Sequence, residues 1–215
     1  MDLAAARQSF PGLRDKVFLD AATVSLAPVQ AEQAIAAFVE SAVMCFERDA
    51  STHHVAMDEL RLAVVTEAAR LLNADEDEIA LVESTTHGLN VAALALPLSP
   101  DDNVLVADLE FPQVALPWVK LREQGAIAEV RFVPHEDGAV TPESFSARVD
   151  ARTRVICVSS VQWSHGYRVA LAAFGALCRD HDAFLVVDAI QQLGAVRLDV
   201  RPLPRTSSSR AAISG

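Results

Sequence analysis

A short apolar run that ends in an acid constrains this chain more than any other feature. Residues 184–187 read Phe-Leu-Val-Val, and Asp188 follows them directly. An uninterrupted, β-branched run of this length is typical of a buried strand in a parallel sheet. Ligands collect at the carboxyl ends of such strands, so Asp188 lies where a carboxylate can pair with a cationic ring nitrogen. Gln191 follows in the next turn, where an amide can donate to a ring oxygen. The alternative is that Asp188 caps the next helical turn, and both interpretations stay open.

Strands and helices alternate from residue 78 onward, which sets the fold class. This order predicts an α/β fold, a three-layer αβα sandwich with a mostly parallel sheet. Thr141 and Pro142 have the residue types of a helix N-cap and first helical position. The predicted strands are 79–82, 103–107, 129–133, 154–159 and 184–187, and the predicted helices are 86–96, 114–123 and 171–179.

The N-terminal part is predicted to be helical. Residues 1–16 form an arm, a helical pattern opens at Pro28, and a second helix covers 54–72. We therefore divide the chain into an N-terminal arm and helix (1–50), a large domain (51–200) and an irregular tail (201–215).

Charge and cysteine content exclude several classes of protein. The chain has 18 basic and 29 acidic residues and a net charge of -11, which argues against a nucleic-acid or anionic-membrane surface. Its three cysteines, Cys45, Cys157 and Cys178, have no CxxC spacing, so we expect buried thiols in a reducing compartment and no metal site. A signal peptide and a membrane-length apolar run are both absent from the sequence, which predicts a cytoplasmic location.

Three further strand ends carry polar or aromatic residues. Thr85 and Thr86 lie where a strand leads into a helix, and hydroxyls with free amides there suit a phosphate. An ordinary helix cap is the favoured interpretation of that stretch alone. Phe111 precedes Pro112 and offers either a rigid stacking surface or a core side chain. Residues 159–168 are unusually polar and aromatic for a connection, and loops of this kind more often bind than merely connect.

Taken together and in this order, these motifs make the chain resemble class V aminotransferases. This is the branch of fold-type-I pyridoxal-phosphate (PLP) enzymes that includes selenocysteine lyases, cysteine desulfurases, isopenicillin N epimerase and kynureninase. The resemblance spans residues 17 to about 200 and implies a PLP-transferase large domain that is incomplete at the C-terminus. The motifs that carry it are Leu19-Asp20-Ala21-Ala22, Ser84-Thr85-Thr86-His87-Gly88-Leu89-Asn90, Glu110-Phe111-Pro112, Ser160-Val161-Gln162-Trp163-Ser164 and Asp188-Ala189-Ile190-Gln191.

The resemblance implies pyridoxal 5'-phosphate as the cofactor and a role for each candidate residue. Thr85 and Thr86 would hold the cofactor phosphate, and Phe111 would stack on the pyridine ring. Ser160 and Gln162 would lie beside the ring.

The turn after the predicted strand 184–187 would hold the far side of the same ring. Asp188 would pair with the protonated ring nitrogen and keep the ring an electron sink, and Gln191 would hydrogen-bond the ring hydroxyl. The family further implies a small-molecule amino-acid substrate, lyase, transferase or epimerase chemistry through a pyridoxal phosphate aldimine, and a homodimer.

Some residues depart from the desulfurase pattern. Where desulfurases carry a His pair after the glutamate, this chain has Phe111-Pro112, and where they carry Ser-Asn it has Ser159-Ser160. Both changes are closer to the epimerase-like and kynureninase-like members. His87 replaces the usual acid of the threonine motif.

The Schiff-base lysine of the family has no counterpart in this sequence. It follows the strand-end aspartate by roughly twenty-five residues in the family, which projects onto 213–215 or just past the end. The only lysines are Lys16 and Lys120, and we expect both to be solvated surface residues. No catalytic residue is therefore assigned.

The last residues change in character. The stretch 201–210 is polar, with two prolines and a serine run, and predicts an irregular tail. Our hypothesis is that the chain is truncated or frameshifted near Val200. Two functions stay open: a PLP-dependent enzyme acting on an amino acid, or a non-catalytic PLP-fold fragment that binds cofactor weakly or pairs with a full-length relative. A dinucleotide-binding domain lacks support, because no G-x-G-x-x-G follows a predicted strand.

Overall fold

The computed structural model describes residues 2–203 and 211–214, which contain seven α-helices and five strands. The backbone divides into two units, Met1–Val64 and Val65–Gly215. The division falls inside one continuous helix, whereas the sequence analysis set it at residue 50. The helices are α1 (Leu3–Gln8), α2 (Val29–Met44), α3 (Ala50–Leu72), α4 (Thr85–Ala95), α5 (Pro112–Glu123), α6 (Pro142–Ser146) and α7 (Leu171–Asp180). The strands are β1 (Asn103–Ala107), β2 (Glu129–Val133), β3 (Thr153–Ser159), β4 (Phe184–Asp188) and β5 (Ala211–Ser214).

The strands form one sheet in the order β2-β1-β3-β4-β5, and every ladder is parallel. All five residues of β1 and all five of β4 are buried. Strands covered on both faces read as continuous apolar runs, which is why their positions follow from the sequence. The α/β prediction is confirmed.

Helices cover both faces of this sheet. Neighbouring residues of a strand point to opposite faces. In β1, Leu105 belongs to a cluster that contains Phe145 of α6 and Phe174 of α7. The next residue, Val106, belongs to the opposite cluster with Leu89 of α4 and Trp118 of α5. The predicted three-layer sandwich is therefore confirmed.

A polar network ties three strands together where β1 and β3 begin. The Asp150 carboxylate accepts hydrogen bonds from Asn103 Nδ2 at 2.8 Å and pairs with Arg131 NH1 of β2 at 2.8 Å. Thr153 Oγ1 donates to Asn103 Oδ1 at 2.8 Å. Burial acts to raise the pKa of Asp150, but the hydrogen bonds from Arg131 and Asn103 outweigh it and hold that pKa below its ordinary value.

The first unit is helical. Its α2 begins directly after Pro28, which occupies the N-cap, so the predicted helix start is confirmed. The helix ends at Met44, and its C-cap residue, Cys45, has a φ of 45°, which lies in the left-handed region. Cys157 and Cys178 are buried as predicted, but the prediction is wrong for Cys45, which is exposed at this helix end. Within the described part of the chain, no helix is long and apolar enough to cross a membrane.

Two predicted segments differ from the structure. The strand predicted at 79–82 is wrong, because the segment pairs with no strand among the described residues and forms no ladder. The irregular tail predicted over 201–215 is wrong for Ala211–Ser214, which pairs with β4 as a parallel edge strand. The rest of the predicted tail after residue 203 lies outside the described residues.

Candidate functional site

Three neighbouring strands deliver polar side chains to one edge of the sheet. The carboxyl ends of β1, β3 and β4 lie side by side in the strand order. The register pairs Ser159 with Asp188, and Ser160 N donates to the Asp188 carbonyl oxygen at 2.8 Å. The sheet thus places residues distant in sequence in one cluster, at the edge where ligands of α/β proteins bind.

Asp188 is the buried acid of this cluster. Its side chain is 3% exposed, and Oδ1 accepts a hydrogen bond from Ile190 N at 2.9 Å. Burial raises the pKa of Asp188 above its ordinary value. Asp188 thus caps the turn that follows it, which is one of its two interpretations. One backbone donor, however, uses only part of the acceptor capacity of a carboxylate. Asp188 retains the capacity to accept a cationic donor.

Ser160 and Gln162 bring polar atoms into the same buried region. They are 0% and 1% exposed. Ser160 Oγ and Gln162 Oε1 have no hydrogen-bond partner among the residues described. Buried polar groups are almost always paired. These two atoms are therefore the ones this region offers to a bound molecule.

Glu110, which was not among the predicted site residues, joins the cluster from the turn after β1. Its carboxylate accepts hydrogen bonds from Ser159 N at 2.8 Å, from Ser159 Oγ and from Gln162 Nε2 at 3.0 Å. Burial, and after it the nearby charge of Asp188, raise the pKa of Glu110, while its three donors oppose that rise. The available sequence signal was an acid three residues after a buried strand and directly before the Phe-Pro pair.

Two aromatic side chains stand at the rim of the cluster. Phe111 is 41% exposed, so the core interpretation of this residue is wrong. Its ring meets the ring of Trp163 edge to face, with centroids 5.5 Å apart and planes at 71°. Trp163 Nε1 donates to the Leu109 carbonyl at 3.1 Å, which fixes the indole. Trp163 belongs to one of the motifs that carry the resemblance, but its contact with Phe111 is not predictable from that motif.

The helix α4 presents Thr85 and Thr86 in its first turn. Ser84 is the N-cap, and its side chain accepts from His87 N at 3.2 Å. The two threonine hydroxyls therefore do not cap the helix, and neither has a hydrogen-bond partner in the described ranges. Thr86 also lines an open groove of about 350 Å³ between α4 and α5. Free N–H groups and the helix dipole make such a helix start favourable for an anion.

The predicted site residues thus fall into two groups. Ser160, Gln162 and Asp188 lie in one buried cluster, with Phe111 at its rim. The others lie on flanking elements: Thr85 and Thr86 on α4, and half-buried Gln191 in the turn after β4.

Neither lysine belongs to this cluster as the structure describes it. Both are exposed, as predicted, and Lys120 pairs with Glu123 of its own helix at 3.6 Å.

Comparison with known proteins gives matches along most of the chain. The family model for aminotransferase class-V matches residues 17–204. A "Probable cysteine desulfurase" of Methanothermobacter thermautotrophicus is 31% identical over 204 residues, which cover 92% of this chain and 49% of the relative. A cysteine desulfurase of Salmonella dublin is 30% identical over 208 residues, which cover 92% of this chain and 51% of the relative. The chain thus spans about half the length of these curated relatives.

Solved structures share the fold. A C-DES variant with glycine covalently linked to its PLP cofactor superposes with a TM-score of 0.86 at 22% identity, covering 97% of this chain and 55% of the other. The cysteine desulfurase CsdA of Escherichia coli gives a TM-score of 0.83 at 23% identity, with coverages of 94% and 52%. At these identities the comparison establishes the fold.

Proposed function

The chain belongs to the aminotransferase class-V family, whose cofactor is pyridoxal 5'-phosphate, and we propose that the carboxyl edge of its sheet holds this cofactor for a reaction on a small amino acid. The observation that carries the proposal is the buried carboxylate of Asp188. At the same edge of the sheet are two buried polar atoms, Ser160 Oγ and Gln162 Oε1, that have no partner among the described residues.

The chemistry of the residues present fits the cofactor. PLP has a cationic ring nitrogen, a flat aromatic ring, polar ring substituents and a phosphate. A buried acid (Asp188), an exposed aromatic face (Phe111) and unsatisfied polar atoms match the first three of these groups. The first turn of α4, with Thr85 and Thr86, suits the phosphate.

Each residue then has a task that its own chemistry supports. PLP, when bound, withdraws electrons from the amino acid attached to it. Asp188 holds a proton at the ring nitrogen, because an unprotonated ring would leave a buried charge without a partner. Phe111 covers a face of the ring, and Gln191 donates to the ring hydroxyl. A lysine that carries the substrate proton is not assigned to the described residues.

For the reaction, we propose lyase chemistry on an amino acid, with sulfur-containing amino acids as the first substrates to test. The support is that the curated relatives above are named as cysteine desulfurases. Transfer and epimerisation are the competing outcomes, and Phe111-Pro112 in place of the desulfurase His pair favours testing them. We further propose that the partners are a small amino acid and a second copy of the chain, in the cytoplasm.

The first experiment is a titration with PLP, read by ring absorbance and by quenching of tryptophan fluorescence. Asp188→Asn keeps the shape and the acceptor for Ile190 N but removes the charge, so we expect at least about tenfold weaker binding, or about 1.4 kcal/mol. Asp180→Asn, which changes an exposed acid on α7, is the matched control. Superimposable curves for Asp188→Asn and the unsubstituted chain would contradict the assignment of Asp188.

A second candidate is a non-catalytic protein that binds PLP weakly or pairs with a full-length relative. The observation that favours it is that Lys16 and Lys120, the only lysines, fall outside the motifs of the resemblance. An assay with PLP and a panel of amino acids distinguishes the two candidates. Turnover above that of free PLP supports only the enzyme.

A further inference from the structure

Resting on the proposed function, we infer that Glu110 is a positioning residue that fixes the side-chain amide of Gln162, so that Gln162 offers its Oε1 atom to the bound molecule. Glu110 itself does not touch that molecule in this scheme. It acts through a hydrogen bond to Gln162 Nε2 and two more to Ser159.

The carboxylate of Glu110 selects one of the two possible orientations of the Gln162 side-chain amide. The two ends of a glutamine amide have the same shape, so its neighbours decide which end faces which way. One oxygen of Glu110 accepts from Gln162 Nε2 at 3.0 Å and from Ser159 N at 2.8 Å, and the other accepts from Ser159 Oγ. A flipped amide would place Gln162 Oε1 against this carboxylate, oxygen against oxygen.

The backbone around Gln162 leaves the side chain little freedom. Gln162 N donates to the Tyr167 carbonyl at 2.9 Å, and Gly166 N donates to the Gln162 carbonyl at 2.9 Å. The residue is 1% exposed, and its Oε1 atom has no partner among the described residues. Gln162 therefore holds a buried acceptor in a fixed place.

The fixed acceptor specifies the chemistry of its ligand. A buried carbonyl oxygen needs an N–H or O–H donor. The group that meets Gln162 Oε1 is accordingly a hydroxyl or an amine, and a carboxylate or phosphate oxygen is excluded there. The carboxyl groups of Glu110 and Asp188 at the same edge further favour a neutral or cationic donor.

The first test needs no ligand. We would label the chain with ¹⁵N, identify the Gln162 Nε2 resonance by its loss in Gln162→Ala, and measure its solvent exchange. A bond to a buried carboxylate predicts a resonance shifted from the ordinary position and protons that exchange much more slowly than those of exposed Gln33. Exchange as fast as that of Gln33 would overturn the inference.

The second test uses pyridoxamine 5'-phosphate, which needs no lysine, as the ligand in calorimetry. If Glu110 acts through Gln162, then Glu110→Ala, Gln162→Ala and the double variant should each weaken binding by about the same tenfold factor, not a hundredfold for the double. Glu110→Gln should restore most of the binding. Its Oε1 can still accept from Gln162, and its amide can donate to Ser159 Oγ.

The outcomes separate the inference from the proposed function. Binding with additive losses overturns the role of Glu110 and leaves the cofactor site standing. If the unsubstituted chain binds no pyridoxamine phosphate, the proposed function fails, and the exchange measurement alone decides the orientation of Gln162. Urea unfolding of each variant monitors folding. Should Glu110→Ala not fold, the exchange measurement and the Glu110→Gln and Gln162→Ala variants still decide.

Discussion

Asp150, just before β3, and Asp188, at the end of β4, are acids whose pKa values shift in opposite directions. Asp150 receives donors from Arg131 and Asn103, which hold its pKa low. Asp188 is buried, its carboxylate accepts from one donor among the described residues, Ile190 N, and burial raises its pKa. A satisfied carboxylate stabilises the fold when ionised, whereas a buried and incompletely satisfied one is a cost that a cationic ligand can offset.

The Asp188→Asn variant should be more stable than the unsubstituted chain when no ligand is present. A raised folded-state pKa means that stability is greatest below the unfolded value, near 3.8, and is lost as the pH rises through the folded value. Asparagine avoids that loss, so we expect a gain on the order of 1 kcal/mol at pH 7 and little difference near pH 3. Urea unfolding at both pH values measures it. An Asp188→Asn variant that is less stable at pH 7 would show that the carboxylate is already compensated.

The Asp150→Asn variant should behave in the opposite way. Because the folded pKa is lowered, its contribution is present above the unfolded value of about 3.8 and disappears as the pH falls. The side chain is 39% exposed, so solvent screening limits the expected loss to about 0.5–1 kcal/mol at pH 7. The same urea series measures it, and PLP titration should be unchanged. Weaker PLP binding in this variant would mean that the two ends of the sheet are coupled.

At the scale of the elements, substitutions of two helix caps distinguish an effect on the stability of the fold from an effect on PLP binding. Ser84 caps α4, next to the proposed phosphate residues, and Thr141 caps α6 by accepting from Ser144 N at 3.2 Å. Ser84→Ala and Thr141→Ala should each lower stability by about 1 kcal/mol. Only Ser84→Ala should weaken PLP binding, because it frays the turn that carries Thr85 and Thr86. Equal effects on binding would remove α4 from the site.

The elements that were predicted well from the sequence are strands buried on both faces of the sheet, because such strands are continuous apolar runs. The bounds of β1 match the predicted range 103–107, and β4 extends the predicted range 184–187 by one residue; all residues of both strands are buried. The segment 79–82 has a similar apolar pattern, but a strand also needs a neighbour, and local pattern contains no information about neighbours. The strand at 211–214 shows the opposite case. It was missed because its pairing with β4 depends on the neighbouring strand and not on its own sequence pattern.

The site residues divide in the same way, into those that a local sequence pattern predicts and those that only the fold brings together. Asp188 stands out because it directly follows a buried apolar run, and Phe111 stands out because it directly precedes a proline. Glu110 was given no role, because its partners, at the end of β3 and in the loop that follows, lie about 50 residues away and only the fold brings them together. Residue types thus predicted the candidates, and strand order decided which of them meet.

At the scale of the whole molecule, apolar exposure and net charge act against each other. On α2, the side chains of Ile35, Phe38, Val39 and Val43 are each half or more exposed. Contiguous apolar surface of this kind marks an interaction site or an association hazard. The net charge of -11 opposes association between copies through repulsion that salt screens.

We therefore expect the chain to self-associate, and to do so more strongly as salt is added. Sedimentation at low and high ionic strength measures both effects, since screening removes the repulsion but leaves the apolar attraction. Val39→Lys should reduce association at every salt concentration. Ala37→Lys adds the same charge on the opposite side of α2 and is the matched control, because residues two apart on a helix face about 200° away from each other. Association that weakens with salt, or that both variants reduce equally, would assign it to charge instead of to this apolar face.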